Sequence, residues 1–141
     1  MASLTITASQ VLLVSGEVLK GTAGATITAG QSVYFDTTTN TWKLAQCDGT
    51  IAEAGQSGLG ISLHGASSGQ PIDVAGPGCD VNLGAGAAAA AGTVYIPGAT
   101  AGDIAPTGDV TTTGQFRSIL ALGKGSNRVR VVALASESAI P

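Results

Sequence analysis

Ala29-Gly30-Gln31-Ser32-Val33-Tyr34-Phe35 returns later in the chain as Ala91-Gly92-Thr93-Val94-Tyr95-Ile96, one residue shorter. Each copy begins with a small residue and a glycine, which turn a chain easily. It then runs into valine and aromatic residues, which fit a pleated, half-buried surface. Beyond the first copy lie Gly60-Ile61-Ser62-Leu63-His64-Gly65, a polar turn and Pro71-Ile72-Asp73-Val74-Ala75. Beyond the second lie Ser118-Ile119-Leu120-Ala121-Leu122-Gly123, another turn and Arg128-Val129-Arg130-Val131-Val132. Each copy therefore reads as a strand, a loop and a hairpin, and the chain as a duplicated β unit.

Working outward, Thr37-Thr38-Thr39-Asn40 turns Ser32–Asp36 back into Trp42-Lys43-Leu44-Ala45, which makes a hairpin. Leu59, Ile61 and Leu63 alternate with Gly60, Ser62 and His64, as in a strand with one buried face. Lys124-Gly125-Ser126-Asn127 turns the last hairpin, and Asp103-Ile104-Ala105 is read as the counterpart of Lys43-Leu44-Ala45. Ala85 to Gly92 is rich in alanine but bracketed by glycines and too short for an isolated helix, so it is read as loop or extended chain. Short strands between Gly-rich turns throughout indicate an all-β fold, a small sandwich or barrel. The organisation expected is an extended N-terminal arm over 1–28, one β domain over 29–135 made of halves 29–80 and 91–135, and a tail over 136–141.

The 141-residue chain carries 11% charged residues, against about 25% in an ordinary globular protein, and its mean hydropathy is +0.36. It holds only two Phe, two Tyr and one Trp, so this hydropathy reflects a surface poor in charge more than an aromatic core. Such a surface suits a protein covered by partners. The net charge is −3 and the six basic residues are scattered, which argues against nucleic acid as a partner. Residues 1–16 carry no charged side chain, whereas a secretory leader opens with a basic segment. The uncharged stretch Val81 to Gly102 is broken by glycines and proline, so no membrane span is expected.

No catalytic constellation is visible. His64 is the sole histidine and no nucleophile–base motif surrounds it, so it reads as a solvated or hydrogen-bonded residue. Cys47 and Cys79 lack the spacing of a metal or redox pair and read as small buried thiols. The nearest carboxylate pairs, Asp48/Glu53 and Asp103/Asp109, lie in turn-rich loops without a calcium-loop pattern. The expectation is no enzyme, no cofactor and no metal. In the N-terminal stretch, Leu4 and Ile6 alternate with polar residues and Val11-Leu12-Leu13-Val14 is a short apolar run. These six residues are the candidate contact set, suited to adding a strand at a sheet edge.

The run Ala29 to Asp36, Trp42-Lys43-Leu44-Ala45, Gly58 to Leu63 and Ala66 to Val74 resembles tailed-bacteriophage capsid decoration, or cement, proteins. So does Ala91 to Tyr95 through Gly102-Asp103-Ile104-Ala105-Pro106, and a weaker similarity extends to lambda-type head decoration proteins. The resemblance covers roughly residues 20–135. It implies a β-tulip-like virion structural protein, made in the host cytoplasm, that binds the outer surface of the expanded head. There it would stabilise the head by cementing neighbouring major capsid subunits. Its partners would be the major capsid protein and copies of itself, as trimers or else dimers, with no nucleic acid and no membrane. The alternative reading is a head-fibre, tail-fibre or spike domain used in host attachment.

Overall fold

The structure, a computed structural model, describes residues 4–84, 87, 89–134 and 140. The described strands are β1 (Leu12–Ser15), β2 (Val18–Thr22), β3 (Ser32–Asp36), β4 (Thr41–Leu44), β5 (Leu59–Ser62) and β6 (Pro71–Ala75). They continue with β7 (Asp80–Asn82), β8 (Val94–Pro97), β9 (Ile104–Pro106), β10 (Ile119–Gly125) and β11 (Arg128–Leu134). Two single 3-10 turns, Ala8–Gln10 and Thr107–Asp109, are the helical elements among the described residues.

One sheet has the order β2-β6-β5-β3-β4 and the other β1-β7-β11-β10-β8-β9, with antiparallel neighbours throughout. Shift every strand of the first order by five and it becomes β7-β11-β10-β8-β9. The duplication is therefore a duplication of topology, one repeat to each sheet, with β1 added at the edge of the second. The glycine turn explains why the order is kept. Gly30 and Gly92 have φ of +82° and +79°, a region that side chains with a Cβ rarely adopt. Gly30 N–H donates to Ser62 O (2.8 Å) and Ser62 N–H to Gln31 O (3.0 Å); Gly92 N–H donates to Gly123 O (2.9 Å) and Gly123 N–H to Thr93 O (2.8 Å). The same reciprocal pair starts both ladders. Between turn and tyrosine the first copy has Gln31, Ser32 and Val33, the second only Thr93 and Val94. The facing strand shortens equally: Tyr34 lies opposite Leu59 and Tyr95 opposite Ala121. Register therefore survives the missing residue.

Both repeats begin earlier than the sequence halves at 29 and 91, because β2 and β7 are their first strands. The 1–28 stretch enters both sheets: β1 pairs with β7 and β2 with β6. The β8·β9 register also moves one correspondence. Tyr34 faces Lys43 and Tyr95 faces Pro106, so Ile104-Ala105-Pro106 stands where Thr41-Trp42-Lys43 does, not where Lys43-Leu44-Ala45 does. The last turn is as expected, with Ser126 and Asn127 both at positive φ, the backbone that a tight two-residue hairpin needs. Of the Ala85–Gly92 loop, residues 85, 86 and 88 lie outside the described residues, as do 135–139 and 141 of the C-terminal stretch.

The sheets pack face to face as a sandwich. Tyr34, Leu59, Ile61 and Ala75 of one meet Val81, Tyr95, Ile104, Leu120, Val129 and Val131 of the other. Neither sheet closes into a barrel. The five-stranded sheet comes nearest: past β2, Ala23 bridges to Trp42 of β4 and Gly24 N–H donates to Trp42 O at 2.7 Å. This draws the two edges together over a second cluster of Ile27, Val33, Trp42, Ile72 and Val74. A third cluster, Cys47, Ile96 and Val110 with Ile140 against it, covers part of the other sheet.

Candidate functional surface

The sheet edges differ in what covers them. At β9, Leu4 N–H donates to Ile104 O (2.7 Å), so the start of the described chain lies along that edge. At β4, Gly24 does the same through Trp42. The β2 edge carries Lys20, which pairs with Asp73 of the neighbouring strand at 3.2 Å, and an edge lysine deters further strand addition. Among the described residues, the β1 edge has neither cover nor charge. It is the terminal strand of its sheet and reads Leu-Leu-Val-Ser, with Leu12 64% and Val14 43% exposed. A bulge between Leu13 and Ser15 leaves Val14 without a register partner.

The six candidate contact residues therefore divide. Leu4, Ile6, Val11 and Leu13 are partly buried against the main core, and Ile6 and Val11 crowd the space where Gly30 would carry a Cβ. Leu12 and Val14 alone point to solvent as large apolar groups. With Leu19 on β2 they make three of the five exposed large hydrophobics among the described residues, all three on strands β1 and β2, which are consecutive in the chain.

Next to β1, the outer face is charged and internally compensated. Asp80, opposite Ser15, accepts from Arg130 Nε at 2.8 Å, and Lys124 Nζ lies 3.5 Å away. The Arg130 hydrogen bond holds the Asp80 carboxyl below its ordinary range despite burial, and raises the guanidinium in turn. Arg128 lies opposite Asn82. Further across, Val94, Pro106, Thr107, Asp109, Arg117 and Ile119 line a groove of about 720 Å³. Leu122, in register with Val94, and Leu134, in register with Ile119, are exposed. Arg117 Nε is turned to Val110 O at 2.8 Å. Sequence reasoning missed this groove; the signal was the placing of Leu122 and Leu134 opposite Val94 and Ile119, which only the register reveals.

His64 and Ser62 serve the main chain. His64 is exposed and hydrogen-bonded, with Nδ1 2.9 Å from Gly65 O and Nε2 accepting from Asp73 N–H at 3.0 Å. Ser62 Oγ donates to Thr28 O at 2.6 Å and accepts from Gln31 N–H at 3.0 Å, which ties the glycine turn to β5. Cys47 and Cys79 are buried free thiols; Cys79 Sγ donates to Glu17 O at 3.1 Å, and burial pushes the Cys47 thiol up. Among the described residues, no three His, Cys, Asp or Glu side chains gather to hold a metal, and no helix is long and apolar enough to cross a membrane. No protein-family model matches the chain, and no curated protein is significantly similar to it.

Proposed function

We propose that this chain is a virion structural protein that binds the outside of an expanded phage head and cements neighbouring major capsid subunits. The observation that supports this reading best is the bare β1 edge. It offers a row of main-chain donors and acceptors beside exposed Leu12 and Val14, while the β9 and β4 edges are covered and β2 carries a lysine. An extended capsid segment adds there by main-chain hydrogen bonding, with the two side chains as its apolar contacts. Each contact is small, and repetition over a symmetric shell multiplies it. The attachment-domain alternative has less support: a glycan site needs an exposed aromatic platform, and Trp42 is 5% exposed within its cluster.

Co-sedimentation with expanded, undecorated heads of the encoding phage tests the proposal. Saturable binding at a fixed ratio to capsid subunits is expected, and it is lost in the double variant Leu12→Lys/Val14→Lys without loss of folding. Removing residues 2–14 is a poorer test, because it also takes away Leu4, Ile6, Val11 and Leu13 from the core. Absence of binding, with the protein found on tails or fibres of intact virions, overturns the reading in favour of host attachment.

A further inference from the structure

We propose that His64 is a proton-operated latch on the end of the β5·β6 ladder. The ladder runs through Ile61↔Ala75 and Ser62↔Val74, and the next pair is Leu63 with Asp73. Leu63 N–H still donates to Asp73 O at 3.0 Å. The return bond, from Asp73 N–H, would go to a main-chain carbonyl in a regular antiparallel pair. Here it goes to the imidazole, Asp73 N–H to His64 Nε2, at 3.0 Å. A side chain takes the place of a backbone acceptor at the point where the strands part.

This geometry assigns the tautomer. Nε2 faces an N–H and must be the acceptor, so the ring proton sits on Nδ1, which donates to Gly65 O at 2.9 Å. Both ring nitrogens are engaged, and the arrangement exists only while the ring is neutral. A second proton turns Nε2 into a donor facing another donor. The receiving group is beside it: Asp73 Oδ2 lies 3.8 Å from Nε2. The charged groups that meet the ring are this carboxylate on β6 and, through its other oxygen at 3.2 Å, Lys20 on β2. Protonation therefore moves the ring from the amide of Asp73 to its carboxylate and leaves the amide without its acceptor. The latch turns on whether the ring carries one proton or two. It acts on β6, the strand that holds the edge strand β2, whatever surface the protein binds.

The test is amide NMR with hydrogen exchange on the intact chain, from about pH 8 to about pH 5. The Asp73 amide signal should move together with the ring resonances of His64. Its protection, corrected for the intrinsic pH dependence of exchange, should fall about fivefold, the equivalent of one net hydrogen bond. The Leu63 amide, bonded to the carbonyl of the same residue, should keep its protection. In His64→Gln, whose side-chain oxygen accepts without titrating, the Asp73 amide should show no such change. A ring that titrates while Asp73 keeps its protection, or a glutamine variant that keeps the wild-type pH dependence, overturns the proposal.

Discussion

Residues 18–75 and 80–134 build the same five-strand order, yet the first repeat packs Trp42 where the second has Ala105. Around Trp42 the first repeat has made room. Phe35 meets the indole edge-on with ring centroids 5.3 Å apart, and Gly21 lies under it where any Cβ would collide. Around Ala105 the second repeat is filled from elsewhere, with Ile96 covered by Val110 and by Cys47 of the first repeat. The first strand pair is also inverted in charge. Lys20 of β2 faces Asp73 of β6, whereas Asp80 of β7 faces Arg130 of β11. Main-chain turn and register thus carry the common fold, and side-chain filling is a local solution that each repeat reaches separately.

Truncating the first repeat's filler strikes hardest. Trp42→Ala is expected to cost about 3–5 kcal/mol in denaturant unfolding, since the 5% exposed indole anchors a cluster that little else can fill. The two turn glycines sharpen the comparison. Gly92→Ala meets no atom within 4 Å and should cost only the positive-φ penalty of about 1–2 kcal/mol. Gly30→Ala carries the same penalty and also drives into Ile6 and Val11, so it should cost about 3 kcal/mol. Equal losses at the two glycines would mean that residues 4–11 do not stiffen the first turn.

Of the inverted ion pairs, the one at Asp80 is expected to respond to pH. Asp80 is lower in the folded state than the ordinary unfolded value of about 3.9. It therefore contributes stability that is present above that value and lost as pH falls through the folded one. Asp80→Asn should lower the melting temperature at neutral pH, by less than Gly30→Ala does, and flatten the acid limb below about pH 4. Part of the slope remains, because Asp36 is lowered in the same direction by its hydrogen bond from Lys43. At the other end of the scale, Lys20 is 77% exposed, and Lys20→Ala should change stability by less than about 1 kcal/mol.

Much of this was legible because the duplicated Ala-Gly turn has a local cause. Its glycine needs positive φ, and the valine and aromatic residues that follow announce a strand. The Trp42 hairpin and the Ser126-Asn127 turn were readable for the same reason. The opening strands were not. Val18-Leu19-Lys20-Gly21-Thr22 and Asp80-Val81-Asn82 contain charge, glycine or too few residues to show alternation, and they become strands only because β6 and β11 offer ladders. The β9 register was hidden for a related reason: Ile104-Ala105-Pro106 shares no residue with Thr41-Trp42-Lys43, and the match exists only in the pairing. In the candidate contact set, the apolar run Val11-Leu12-Leu13-Val14 suited a strand at a sheet edge, but which residues face out depends on the core beneath.

Because each sheet is essentially one continuous repeat, the order of synthesis matters. The ribosome releases the first repeat with its inner face, Leu59, Ile61 and Ala75, bare until the second repeat emerges, and β1 must wait for β7. Long-range closure of this kind is slow. In the interval the first repeat of one chain can accept the second repeat of another, since both chains carry the same complementary halves. A high local concentration of newly made chains thus favours an exchanged dimer, joined through the residue 75–80 connection, as the characteristic misassembly of this molecule.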